Sequence, residues 1–460
     1  MQKNLTKNLT EGSPARLLLL FSLPLMAGNI FQQLYTIVDT AIVGKVLGVE
    51  ALAALGAVDW LNWLTLGVIQ GFTQGFAILI AQKFGAGENA SLKRTVANSI
   101  VLSVFCGLLI TAAGEGLAGG VLDLLGTPEN IRPVGMAYLR VLFAGLPVVT
   151  AYNLCACILR SLGDSRTPLY AMIVASLTNI GLDLMFVMGF DWGVRGAAAA
   201  TIIGQMISVL YCLIKMRRIE LLHLKKEDFY PQGHLMKHLL ILGLPMAFQN
   251  SVISVGGMIV QKVINGFGVA FIAGFTATNK LYGLLETAAT SYGYAMVTYA
   301  GQNLGAGKKK RISLGMRSGL MISLVTSIGI AALMIGFGKI ILGWFITTDG
   351  EEGVQALAIA YHYLQIMSVC LPILYVLHVV RSCIQGLGNT VLPMISGFAE
   401  FIMRTGAALL LPLAVGESGI FYAEIMAWLG ADLILVPGYF LVMRKIRERE
   451  VVMTETYLSK

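Results

Sequence analysis

The sequence predicts an all-α integral membrane protein of twelve transmembrane helices arranged as two pseudo-symmetric six-helix bundles. Three observations predict it. Apolar runs of membrane-crossing length recur along the whole chain, charge gathers in the loops between them, and the second half repeats landmarks of the first. Of the 460 residues 56% are hydrophobic and only 13% charged, against roughly a quarter charged in an ordinary soluble domain. A soluble fold of this size cannot hide so much apolar surface.

The first span is expected near 17–43, after a polar segment carrying Lys3, Lys7 and Arg16. No small-residue cleavage pattern follows a short apolar core, so this run reads as a retained span and not a removed signal. Spans are then expected near 51–81, 91–113, 131–159, 168–190 and 196–216, and in the second half near 236–265, 270–303, 312–336, 355–385, 391–414 and 419–443. Each is long enough to cross about 30 Å of hydrocarbon at about 1.5 Å per residue. The second and eighth are longer than that thickness requires and should tilt or bend, with Gly71, Gly75 and Gly293 as bend points.

Charge tests the count independently. With a cytoplasmic amino terminus, about 25 of the 33 Lys and Arg fall on the cytoplasmic side and about five outside: Lys45, Arg132, Arg195, Lys262 and Lys339. That bias predicts both termini in the cytoplasm and a multi-pass protein of the cell membrane. It also accounts for the formal charge of +8 without nucleic acid. The organisation expected is an amino lobe 1–217, a cytoplasmic linker 218–234, a carboxy lobe 235–445 and a cytoplasmic tail 446–460. All six cysteines lie inside apolar runs and read as small packing residues.

The two lobes repeat. Leu23-Pro24 recurs as Leu244-Pro245, Gly85-Ala86-Gly87 as Gly305-Ala306-Gly307, and Leu162-Gly163-Asp164 with Pro168 as Leu387-Gly388-Asn389 with Pro393, at a spacing of about 220–225 residues. An even number of spans per lobe implies repeats related by an axis along the membrane normal, with a substrate expected in the cleft between them.

Soluble-enzyme chemistry finds little footing. Gly305-Ala306-Gly307-Lys308 lacks the spacing of a phosphate loop, and Lys309 stands where Ser or Thr is needed. No metalloprotease or nucleophile-elbow motif occurs, and Cys155 and Cys157 have no evident acid or His partner, so no enzyme and no cofactor are predicted. His362 and His378 read as hydrogen-bonding residues or as proton carriers.

Ionisable residues inside spans carry the information, because each costs about 2.5–3.5 kcal/mol on insertion scales and is normally paired or faces water. Asp39 lies deep in the first span; Asn179 and Asp183, four apart in the fifth, share a helix face; Thr201 lies about a turn and a half into the sixth. Two carboxylates, an amide and a hydroxyl offer the oxygen donors that hard cations favour. The same set suits a proton, since two nearby carboxylates in a low-dielectric site resist double ionisation and titrate as a unit. Glu400 and Arg404 form an i,i+4 pair in the favourable order, open to a local ion pair or a substrate contact. Lys280 and Glu286 are six apart, do not share a face, and read as separate cleft residues or as structural ones. Asp59, Glu424 and Asp432 also fall within spans, with no role assigned.

These residues resemble a known family. Val38-Asp39-Thr40-Ala41-Ile42-Val43-Gly44, the two Gly-Ala-Gly turns, Arg160 to Pro168 and Asn179-Ile180-Gly181-Leu182-Asp183 are similar, in order and over nearly the whole chain, to the multidrug and toxic compound extrusion (MATE) family. The resemblance implies a two-lobe secondary antiporter that exports cationic or amphipathic organic compounds in exchange for sodium or protons. It assigns Asp39, Asn179, Asp183 and Thr201 to a cation or proton site, with Tyr35 as a neighbour. Members of the NorM-like branch also carry an acid in the seventh and tenth spans; Gln249 to Gln261 and Tyr361 to Gln385 hold none, which resembles the DinF-like branch. Asp39 aligns with Ile259 or Val260, Asn179 with Arg404 and Asp183 with Ala408, so one functional cation site is expected, in the amino lobe. The expected partners are small organic substrates, sodium or protons and membrane lipid, for a protein working as a monomer. A lipid-linked or polysaccharide flippase is the alternative, and the few basic residues inside spans do not support it.

Overall fold

The computed structural model describes residues 6–124, 129, 131–346 and 350–458, and among them no strand forms. Contacts divide the chain into two units. One takes the chain up to Asn8 and Leu23–Ser251, the other Leu9–Ser22 and Val252 onward.

The first unit holds most of α1 (Pro14–Val46), then α2 (Val49–Gly85), α3 (Asn89–Leu124), α4 (Arg132–Ala144), α5 (Leu146–Ser161), α6 (Arg166–Asp183), a π-helical segment Leu184–Gly189, α7 (Gly193–Met216) and the start of α8 (Gly233–Ile264). The second holds the rest of α8, then α9 (Val269–Gly305), α10 (Lys309–Gly343), α11 (Glu351–Gly386), α12 (Val391–Val415), a 3₁₀ turn Glu417–Tyr422 and α13 (Ala423–Leu458). Each of the twelve predicted spans falls on a helix or a helix pair. Among the described residues, ten helices qualify as membrane spans by length and apolarity, or eleven with the pair α4 and α5, so the count of twelve rests on α9. That helix has 37 residues, enough to cross, but carries Asn279, Lys280 and Glu286 in its middle. α13 continues through the predicted tail 446–460, whose last two residues lie outside the described residues.

The predicted span 131–159 is two helices meeting at 49°. Pro147 near the start of α5 has no N–H to continue the α4 ladder. Gly145 at the break leaves room for Ile202 of α7, whose side chain would lie 2.0 Å from an added Cβ. The expected bend glycines have another role. A Cβ on Gly71 would fall 2.3 Å from the Ala247 backbone and one on Gly75 2.4 Å from Gly243 Cα, so α2 and α8 approach backbone to backbone along a small-xxx-small seam. Gly293 likewise makes room for Ser382 of α11, 2.8 Å from where its Cβ would stand.

The repeat extends to turn chemistry. Gly87 and Gly307 both take positive φ, 70° and 69°, which only glycine adopts without strain. At the other repeated turn, Asp164 Oδ1 accepts from Arg166 N and Thr167 N at 3.0 Å, and Asn389 Oδ1 accepts from Leu392 N at 3.1 Å, so the same position caps the following helix in each unit.

Within the first unit, Val43, Val58, Leu139, Phe143, Val187 and Ala197 share one core. The middle loop docks on α3, where Asn98 Nδ2 donates to Asp228 O and Gln232 N to Asn98 Oδ1. Within the second, Phe271, Phe421, Tyr363 and Phe275 stack in series with ring centroids 5.4, 4.8 and 4.6 Å apart. Leu9 and Thr10 are buried there in a polar socket: Leu9 N donates to Gln302 Oε1, Asn303 Nδ2 to Leu9 O, Lys308 Nζ to Thr10 O, and Arg311 Nη2 to Gly12 O. Large apolar side chains such as Phe105 and Leu109 of α3 and Met321 and Val325 of α10 are exposed, a disposition that suits lipid and not water.

Candidate functional site

Three helices of the first unit build the site. Asp39 sits past the middle of α1, Asn179 and Asp183 occupy the last turns of α6, and Thr201 lies in the first half of α7. Ser176, Asn179 and Asp183 follow an i, i+3, i+7 pattern and face inward together, 4%, 2% and 0% exposed. Directly after Asp183 the chain widens into the π-helical segment, a local distortion that is frequent at functional positions. Phe186 within that segment stacks on Trp192, just ahead of α7, at 4.7 Å.

The structure brings the four predicted residues together. The carboxyl groups of Asp39 and Asp183 lie close enough to interact electrostatically across the α1–α6 contact. Asn179 bridges α6 and α7. Turned so that its nitrogen faces the acid, it donates to Asp183 Oδ2 at 3.1 Å and accepts from Thr201 N at 3.2 Å, which satisfies both ends of the amide. Tyr35, one turn before Asp39, lines a small cavity with Met172, Ser176, Asn179, Thr201 and Gln205. Its free volume of about 10 Å³ is that of a single water-sized sphere. An ion or a water fits; an organic drug does not.

Two carboxylate oxygens, Asp39 Oδ1 and Asp183 Oδ1, are buried with no hydrogen-bond partner among the described residues. Orphaned acceptors of this kind fit a proton or a small cation, since leaving them unsatisfied is unfavourable. With the Thr201 and Tyr35 hydroxyls nearby, the groups left to meet an ion are oxygens, which hard cations favour, while the Asn179 amide is used in bridging Asp183 to Thr201 N.

Sequence reasoning missed Gln205, whose buried Oε1 also lacks a partner among the described residues. It lies four residues after Thr201 on the same helix face, a spacing that pointed to it. Asp59 of α2 and Tyr138 of α4 stand within electrostatic range of Asp39 and extend the polar region.

The remaining predicted residues lie in the second unit. Glu400 pairs with Arg381 of α11 and not with Arg404, and Arg404 Nη2 pairs with Glu424 Oε2 of α13 at 2.7 Å. The i,i+4 expectation fails because both side chains are buried, so each finds its counter-ion across a helix interface. Lys280 is exposed, and Glu286 stands 3.4 Å from His378 Nε2.

The family model MatE matches residues 24–185 and again 245–409. The chain belongs to the MatE family. The two matches start 221 residues apart (245 − 24), within the spacing of the internal repeat. It is 29% identical over 412 residues to the "Probable multidrug resistance protein YpnP" of Bacillus subtilis, covering 89% of this chain and 91% of that protein. It is 26% identical over 425 residues to the "Probable multidrug resistance protein NorM" of Thermotoga maritima, covering 91% and 89%. Among solved structures, a crystal structure of MATE in complex with MaL6 superposes with a TM-score of 0.89 over 97% of this chain and 100% of that one, at 22% identity. The MATE resemblance read from the motifs is therefore confirmed at the level of family and fold, and this MatE protein is a membrane transporter, not an enzyme.

Proposed function

We propose that the chain is a secondary active multidrug efflux antiporter of the cell membrane, exporting cationic or amphipathic organic compounds in exchange for protons or sodium. The observation that carries this reading is the buried Asp39–Asp183 pair with its orphaned oxygens, set beside a cavity of ion size on a MatE scaffold. The names of the relatives support drug export and do not favour the flippase alternative.

In this mechanism Asp39 and Asp183 take up the coupling ion, with Asn179 and Thr201 holding α6 and α7 in register around it. Ion uptake neutralises a buried charge on α1 and changes its balance between two conformations. For exchange to occur, ion and drug must disfavour each other's bound state, a coupling of order 1–3 kcal/mol in typical linked systems. Both termini are assigned to the cytoplasm by the positive-inside bias, and a single chain carries both lobes, so a monomer suffices.

The test is ethidium efflux from proteoliposomes under an imposed sodium gradient or an imposed pH gradient, one at a time. One of the two gradients is expected to drive efflux, with Asp39→Asn and Asp183→Asn reducing it more than about tenfold, equal to about 1.4 kcal/mol of coupling. Gradient-independent efflux, or wild-type rates in Asp39→Asn at equal reconstitution, would refute the assignment.

A further inference from the structure

The buried charges of the second unit form an array that the site above does not use. Arg381 of α11 pairs with Glu400 of α12, while Arg404, one turn further along α12, pairs with Glu424 of α13 and donates from Nη1 to Ile253 O of α8 at 3.2 Å. Asp432 of α13 stands within electrostatic reach of Arg381, yet its Oδ1 is buried and accepts no hydrogen bond among the described residues. Arg381 and Arg404 are 9% and 6% exposed, and Nε of each is buried without an acceptor.

The count is odd: three carboxylates, Glu400, Glu424 and Asp432, face two guanidinium groups. With all five ionised, one negative charge remains uncompensated, and stranding a charge away from water is unfavourable. Uptake of a proton removes that penalty. The other titratable groups nearby are Glu286 of α9 and His378 of α11, which pair with each other at side-chain exposures of 34% and 17%, and the tyrosines Tyr282 of α9 and Tyr363 of α11. Glu286 also lies within electrostatic reach of Arg381, but its side chain is 34% exposed, so solvent screens its charge and the count is taken over the more deeply buried groups.

We propose that Asp432 is a second proton-binding carboxyl of this transporter, in the second unit, with Arg381 as the counter-ion that Glu400 and Asp432 share. With the proton on Asp432, Arg381 stays on Glu400 and ties α11 to α12. When the proton leaves to water, Asp432 becomes a competing anion and draws Arg381 towards α13. The proton therefore selects which helix pair Arg381 bridges. The expectation of one ionisable coupling site, in the first unit alone, is extended by this assignment and does not depend on whether Asp39 couples transport.

Infrared carboxyl absorption of the purified full-length protein, titrated over pH without substrate, tests it. In Asp39→Asn/Asp183→Asn a titrating band of a buried carboxyl is expected to persist, and adding Asp432→Asn should remove it. Glu400→Gln, which frees Arg381 to pair with Asp432, should abolish the same band while Asp432 is still present; a merely structural Asp432 predicts no such effect. Superimposable titrations with and without Asp432→Asn overturn the proposal, and so does a band unaffected by Glu400→Gln in folded protein. If Glu400→Gln does not fold, the Asp432→Asn comparison decides alone. The measurement involves no transport, so its failure is distinct from failure of the antiport reading.

Discussion

Gly204 of α7 offers a steric handle on the ion site that leaves every ionisable group in place. A Cβ added there would lie 3.1 Å from Ala175 O, tighter than ordinary packing, and 3.4 Å from Asn179 Cβ, at the edge of ordinary contact, so the α6 backbone that carries Asn179 must give by a few tenths of an ångström. Gly204→Ala gains about 1 kcal/mol of helix propensity and loses about 1–3 kcal/mol to overpacking, a net loss of about 0–2 kcal/mol, which the fold tolerates. The site is more sensitive. Asn179 holds Asp183 Oδ2 at 3.1 Å and Thr201 N at 3.2 Å, and a shift of that size stretches both bonds toward the limit of useful geometry. A hydrogen bond to a charged group contributes about 1.5–3 kcal/mol, so losing it changes ion binding roughly 10- to 150-fold. Gly181→Ala is the control: it lies on α6 between Asn179 and Asp183, but a Cβ there meets nothing within 4 Å. The assay is ethidium efflux against coupling-ion concentration. Gly204→Ala should move the half-maximal concentration by about tenfold or more and Gly181→Ala should leave it in place. Equal ion dependence in the two variants would refute the role given to the α6–α7 contact.

Other perturbations probe the rest of the structure. Gly75→Ala drives a methyl to within 2.4 Å of Gly243 Cα, where no side chain can yield; thermal stability of the purified protein should fall by ~2–4 °C for each kcal/mol of an overpacking cost of at least ~1–3 kcal/mol, and an unchanged midpoint would argue against the seam. Glu424→Gln strands the buried Arg404 guanidinium, for a loss of about 3–5 kcal/mol. Arg404→Met/Glu424→Gln should recover much of that stability, and a double variant no better than Glu424→Gln would show that the pair is not what holds α12 to α13.

The periodicity and the repeated turns made the fold legible, because membrane helices must satisfy their backbone internally and so announce themselves as long apolar runs. Asp39, Asn179, Asp183 and Thr201 were legible for a related reason: polar groups are scarce in spans, and each one stands out. What the sequence hid was partnership across helices. Glu400 and Arg404 read as a local pair from their spacing, whereas burial sends each to a different neighbour, and Arg381, though an ionisable residue inside the predicted span 355–385, has no visible partner without the α11–α12 contact. The break at Gly145 was hidden by the apolar continuity of Val141 to Leu159 despite Pro147. Gly71 and Gly75 looked like flexible points because a sequence shows the missing side chain but not the backbone that fills its place.

The socket around Leu9 and Thr10 has a practical consequence for handling this protein. The residues just ahead of α1 serve as acceptors for Asn303, Lys308 and Arg311, so they are part of the folded body and not a spacer. A fusion partner placed against Leu9, or a trim to Pro14, would take buried acceptors from those side chains, at about 1–3 kcal/mol for each group left unsatisfied. Affinity handles and reporter domains belong at the other end of the chain, beyond the exposed Arg447 and Glu448 of α13.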